Sequence, residues 1–200
     1  ETYPENWSES NRIELKGDQN LLIEILGNLK FSNAETPNFL DEEDLISRSN
    51  EVIRLLRDRA FNVLANYVHP EKGVRFSPYT YIRDDSLVFS PSDIRVAGIN
   101  KMIYRWGCYD GSCNPIDFTI EEYFKRFVYD VDFVNAEEKS INRRIGFGND
   151  INNISKIYPK GKFVEYHFPG FDPKFEGSDW RSLRLVFEIS HNEWYLVRVV

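Results

Sequence analysis

Apolar positions near the C-terminus recur every second residue. Residues 162–168, 180–189 and 194–200 read as three strands. In the middle run Leu183, Leu185, Phe187 and Ile189 follow Arg181 on one side, with Ser182, Arg184 and Glu188 on the other. That is the two-residue period of a half-buried strand. The polar stretch 190–193 is short enough to close a hairpin. The period predicts that Val164, Tyr166, Phe168, Leu183, Leu185, Phe187, Tyr195, Val197 and Val199 face one interior. Glu165, His167, Ser182, Arg184, Glu188 and Arg198 should occupy the opposite face.

Upstream the period lengthens. Asp41, Glu42, Glu43 and Asp44 put negative charge where a helix N-terminus favours it, and apolar residues then recur at helical spacing to Tyr67. The spacing predicts one helix over 42–67, packing Val52, Leu56, Ala60, Val63 and Leu64 against the sheet and ending at His69-Pro70 and Gly73. Pro78 restricts any strand in 74–81 to an edge or a bulge. Ser90-Pro91 starts a short helix reaching about residue 100. Residues 102–106 read as a strand ended by the Asp110-Gly111 turn. Thr119 and Glu122 form a capping box for a helix over 120–129, and 150–157 suits another short helix. Residues 1–17 are polar and aperiodic, 21–26 are apolar without a decisive period, and 31–39 read as loop. The expected organisation is an N-terminal arm or linker over 1–40 and a single α+β domain over 41–200.

Composition sharpens this. Fifteen Phe, eleven Tyr and four Trp among 200 residues favour sheet over a small helical bundle. The net charge of −7 argues against nucleic acid or an anionic membrane as partner, both of which require a basic footprint. No run of 18 apolar residues offers a bilayer span, so no membrane insertion by this segment is expected. A start at Glu1 without Met fits a chain whose leader has been removed. Cys108 and Cys113 flank a tight turn. We expect a bond between them, with two free thiols as the alternative.

Four segments resemble motifs of uncharacterised bacterial exported proteins, often lipoproteins. They are His69-Pro70-Glu71-Lys72-Gly73-Val74-Arg75-Phe76-Ser77-Pro78-Tyr79, Trp106-Gly107-x-Tyr109-Asp110-Gly111-Ser112, His167-Phe168-Pro169-Gly170-Phe171-Asp172-Pro173, and Trp180-Arg181-Ser182-Leu183-Arg184-Leu185-Val186-Phe187. The resemblance runs from about Asp41 to Val200. It implies an extracytoplasmic location, secreted or lipid-anchored to the cell envelope, and supplies no catalytic residues. The order of elements, long helix first and antiparallel hairpin last, is similar to NTF2-like folds, in which a curved antiparallel sheet wraps helices as a cone and leaves a pocket.

Candidate chemistry is sparse. His69 suits a helix end, and His191 falls in the hairpin turn. Glu165 and His167, two residues apart on a strand, share a face with Ser182 and Arg184. Such a set could do acid–base work in a pocket or form a cross-strand ladder. The carboxylates of 130–132 and 172–179 lack metal-ligand spacing, so no metal or other cofactor is expected. No nucleophile motif is present, and 146–150 reads as a turn lacking the lysine of a phosphate loop. Arg75, Tyr79, Tyr81, Trp106, Tyr109, Trp180 and Arg181 lie at element ends, where they could line a groove or fill core. The candidate ligand-binding set is therefore Arg75, Tyr79, Tyr81, Trp106, Glu165, His167, Trp180 and Arg184. The function expected is a non-catalytic domain binding a small molecule, glycan or peptide, or a protein. The alternative is a small hydrolase or isomerase-type enzyme using Glu165 and His167.

Overall fold

The Asp41 carboxylate accepts from the Glu43 and Asp44 amides, and Asp44 returns the bond to the Asp41 amide, which fixes where the first helix begins. In this computed structural model, which describes residues 40–148 and 151–200, that helix is α1, Glu42–Asp58. It buries Leu45, Val52, Ile53 and Leu56. The single helix expected to reach Tyr67 is broken at Arg59, whose backbone is left-handed at φ 50°. The chain resumes as α2, Phe61–Leu64, and a 3-10 turn, Ala65–Tyr67. The break directs Phe61 onto Phe124 in the core, ring centroids 4.9 Å apart, and leaves Val63 outward at 41% exposure rather than packed as expected. Expectations for 1–39 lie outside the described residues; Leu40–Val200 forms one unit.

Six strands follow the order β2-β1-β8-β7-β6-β5. They are β1 Val74–Phe76, β2 Val88–Phe89, β5 Glu138–Ile141, β6 Lys162–Phe168, β7 Arg181–Ser190 and β8 Glu193–Val199. The sheet is mixed rather than wholly antiparallel, because β1 pairs parallel to β8. β3 Tyr104–Cys108 and β4 Pro115–Phe118 form a separate hairpin. The capping boxes at Ser90 and Thr119 open α3, Pro91–Arg95, and α4, Ile120–Tyr123, the latter continuing as a π-helical turn, Phe124–Val128. A last short helix, α5, covers Ile154–Ile157.

In β6 and β7 the faces fall as the two-residue period predicts. Val164 opposes Leu185 and Tyr166 opposes Leu183 on the core side, while Glu165 opposes Arg184 and His167 opposes Ser182 on the other. In β8 the period breaks. Val186 pairs with Arg198 but Phe187 pairs with Leu196, so Val197 is the extra residue of a bulge. Trp194 and Leu196 therefore join the main core. Tyr195 sits opposite Glu188, and Val197 packs with Ile82, Ile154, Tyr158 and Val186 in a second cluster on the far side. This corrects the expected inward placement of Tyr195 and Val197. Ile189 is also half-exposed near the hairpin turn. Both faces of the sheet are thus covered, the first by α1 and the aromatic core, the second by loop 77–86 and the segments 142–148 and 151–161.

Candidate functional site

Covering the second face changes the meaning of its polar residues. Glu165, Arg184 and His167 are all buried. Five hydrogen bonds saturate the Glu165 carboxylate. Oε1 accepts from Ser182 Oγ (2.6 Å), the Gly146 amide (2.9 Å) and Arg184 Nη2 (3.2 Å), and Oε2 accepts from Arg184 Nε (2.9 Å) and the Ile145 amide (3.0 Å). Burial alone would raise its pKa. The Arg184 and Ser182 hydrogen bonds and the Arg184 charge outweigh that and hold it below the ordinary carboxylate value. Because Ser182 spends its proton on Glu165, it accepts from His167 Nδ1 at 2.7 Å, which fixes that ring's tautomer. Trp180 lies against His167, centroids 5.8 Å apart. Gly146 seals the cluster: a Cβ there would stand 2.6 Å from Ser182 Oγ and 2.7 Å from the Trp180 ring.

The other histidines also have local duties. His69 Nδ1 accepts from the Glu71 and Lys72 amides, and its carbonyl from Gly73, closing the turn before β1. Burial and the Lys72 charge push its pKa down. Lys72 in turn pairs with Glu188. His191 is exposed in the β7–β8 turn.

A cleft of about 550 Å³ opens elsewhere, between the 77–86 loop and the β3–β4 hairpin. The hairpin tip is clamped by a disulfide between Cys108 and Cys113, with Cα atoms 4.6 Å apart. Tyr79, Tyr81, Trp106 and Tyr109 line the cleft with Arg83, Asp85 and Arg105. Tyr81 is 50% and Tyr79 39% exposed. The Asp110 amide donates to the Tyr79 hydroxyl at 2.8 Å, tying loop to hairpin. Trp106 is almost wholly buried, stacked on Tyr123 at 3.7 Å with its indole N–H on the Phe118 carbonyl, so only its edge reaches the cleft. Arg83–Asp85 and Arg105–Asp117 form two-point forks at the rim, with N–O distances of 2.9–3.0 Å.

The structure therefore divides the sequence-derived set. Tyr79, Tyr81 and Trp106 line the cleft. Arg75 backs it, its Nη1 donating to the Arg83 and Ser86 carbonyls. Glu165, His167, Trp180 and Arg184 form the separate buried cluster, and Arg181 pairs with Asp130 on the surface. Sequence reasoning missed the two rim forks. A signal existed for one of them, an Arg and an Asp two residues apart in a turn.

No family model matches the chain, and no curated protein matches it. Among solved structures, a five-substitution variant named Rd1NTF2_05 is similar over 80% of this chain and 97% of its own, at 12% identity and a TM-score of 0.34. Among the described residues no helix is long and apolar enough to cross a membrane.

Proposed function

We propose that this chain is a non-catalytic binding domain acting outside the cytoplasm, and that its cleft takes a glycan. The observation that carries this reading is the cleft itself. Exposed tyrosine rings offer flat apolar faces beside guanidinium–carboxylate forks whose remaining donors and lone pairs suit ring hydroxyls. The Cys108–Cys113 bond supports an oxidising compartment, where such bonds persist. Of the two groups in the acid–base alternative, Glu165 is poorly suited to act as a base. A general base at neutral pH needs a free lone pair and a raised pKa, and Glu165 has a saturated carboxylate and a lowered one. The Glu165–Arg184 cluster holds the 145–146 segment to the sheet.

A glycan array probed with the purified chain tests the reading, with hits measured by calorimetry. Tyr81→Ala should weaken a hit at least tenfold without changing the thermal midpoint, because Tyr81 is half-exposed. Binding unaffected by Tyr81→Ala and Arg105→Ala would place the glycan elsewhere and overturn the assignment of this cleft.

A further inference from the structure

Two arginines stand behind the 77–86 wall of the cleft with no counter-ion among the described residues. Arg75 on β1 and Arg198 on β8 are register partners, so their side chains leave the same face of the sheet. Arg198 is 0% exposed. Its Nη2 donates to Ser77 Oγ (2.9 Å), the Tyr79 carbonyl (3.2 Å) and the Thr80 carbonyl (2.7 Å), while Nε and Nη1 have no partner. Arg75 holds the other end of the wall through the Arg83 and Ser86 carbonyls, and its Nε is likewise buried and unpartnered.

The surroundings do not neutralise them. Burial pulls Arg198 down to about 9, and the charged groups acting on it besides two tyrosines are Arg75 and Arg184, both of like sign. It remains a cation at neutral pH. Arg184 is cancelled by Glu165, and the rim forks cancel internally. Among the described residues neither Arg75 nor Arg198 takes part in an ion pair. Of the lining carboxylates, Asp85 is paired and Asp110 sits at the exposed hairpin tip, and Asp84 in the same 77–86 segment is exposed and so screened by solvent. Arg198 is fully buried and Arg75 half-buried, so their charge is screened less than that of the exposed surface groups and its field reaches the cleft side of the wall. That reverses, locally, the repulsion an anion meets from a chain of net charge −7.

We propose that the ligand of this cleft is an acidic glycan, carrying uronate or sulfate groups, with one anionic group lying against the 77–86 wall in front of Arg75 and Arg198. This rests on the glycan reading of the cleft and adds its charge class. The test is an array holding neutral, uronate-bearing and sulfated glycans, followed by calorimetry on an acidic hit and the same sugar with its charge removed, as the methyl ester or the desulfated form. The charged form should bind at least tenfold more tightly, with affinity falling as salt is raised. Arg75→Gln should remove that tenfold preference, read as the ratio of the charged-form to the uncharged-form affinity measured on the same variant, so that any loosening of the wall through the Arg83 and Ser86 carbonyls cancels. Arg198→Met should do the same where it folds, and Arg75→Gln suffices where it does not. Equal binding of neutral and acidic glycans would overturn the charge inference and leave the glycan reading standing. Absence of any glycan binding would overturn both.

Discussion

Removing one half of the Glu165–Arg184 pair should be among the most damaging single changes this domain can suffer. Both side chains are nearly inaccessible, at 0% and 3% exposure. Arg184→Met strands a carboxylate that keeps Ser182 and two backbone amides but no cation, and breaking a buried pair from one side costs about 3–5 kcal/mol. Glu165→Met strands the guanidinium and also leaves the Ile145 and Gly146 amides and the Ser182 hydroxyl without their acceptor. Each buried unsatisfied group adds about 1–3 kcal/mol, so this variant should lie at or above the top of the range. The double variant carries neither charge, since a buried pair exchanged for apolar side chains is often close to neutral. It should be more stable than the sum of the single losses predicts by at least about 2 kcal/mol, the orphaned amides keeping it below wild type. Urea unfolding of the four proteins, compared at constant m, measures the cycle. A loss under about 1 kcal/mol in either single variant, or additivity within about 0.5 kcal/mol, would show that the cluster is solvated and that its hydrogen bonds do not hold the 145–146 segment.

Four further outcomes are expected. Leu56→Ala, at a site 1% exposed, should cost about 2–5 kcal/mol, whereas Val63→Ala should stay within about 0.5 kcal/mol; comparable losses would mean that the helix continues past Arg59. The His69 pKa is depressed below the ordinary 6.5, so the unfolded chain takes up the proton first. Stability from this group is complete above about 6.5 and declines as pH falls below it, and His69→Asn, which keeps an acceptor for the Glu71 and Lys72 amides, should remove that slope. Glu165 behaves alike at lower pH, its contribution present above about 4.5 and lost as pH drops through its depressed value. Replacing Cys108 and Cys113 by Ser opens a loop of sequence separation 5 and should cost about 2 kcal/mol by loop entropy, with weaker binding in the cleft; an unchanged unfolding midpoint would refute the clamp.

What the sequence revealed and what it hid follow from the range of the forces involved. Caps, turns and the strand period are set by neighbours within a few residues. Asp41, Ser90 and Thr119 therefore located three helix starts, and the alternation in β6 and β7 located two faces. The α1 break at Arg59 has no local stop signal. Phe61 is drawn to Phe124 across the core, and tertiary packing overrides a helical period that runs on unbroken. The bulge at Val197 is a single added residue whose effect on Tyr195 is invisible until the register with β7 is known.

The site was harder to read for a related reason. Alternation correctly gathered Glu165, His167, Ser182 and Arg184 on one face, but it cannot say whether that face meets water, a ligand or another part of the chain. The answer depends on residues 145–146, which present backbone amides, and on Thr80, whose hydroxyl meets Arg184, all distant in sequence from the two strands' own alternation. A polar sheet face covered by backbone donors needs no ligand, because its charges are already matched. Arg75 and Arg198 differ on that point. They lie on the same face and touch the same loop, yet no carboxylate meets them among the described residues. One polar row thus contains both a closed pair at Glu165–Arg184 and an open one at Arg75–Arg198. The open pair adjoins the cleft, so the sheet's second face braces the loop that walls it and sets two guanidinium groups behind that loop.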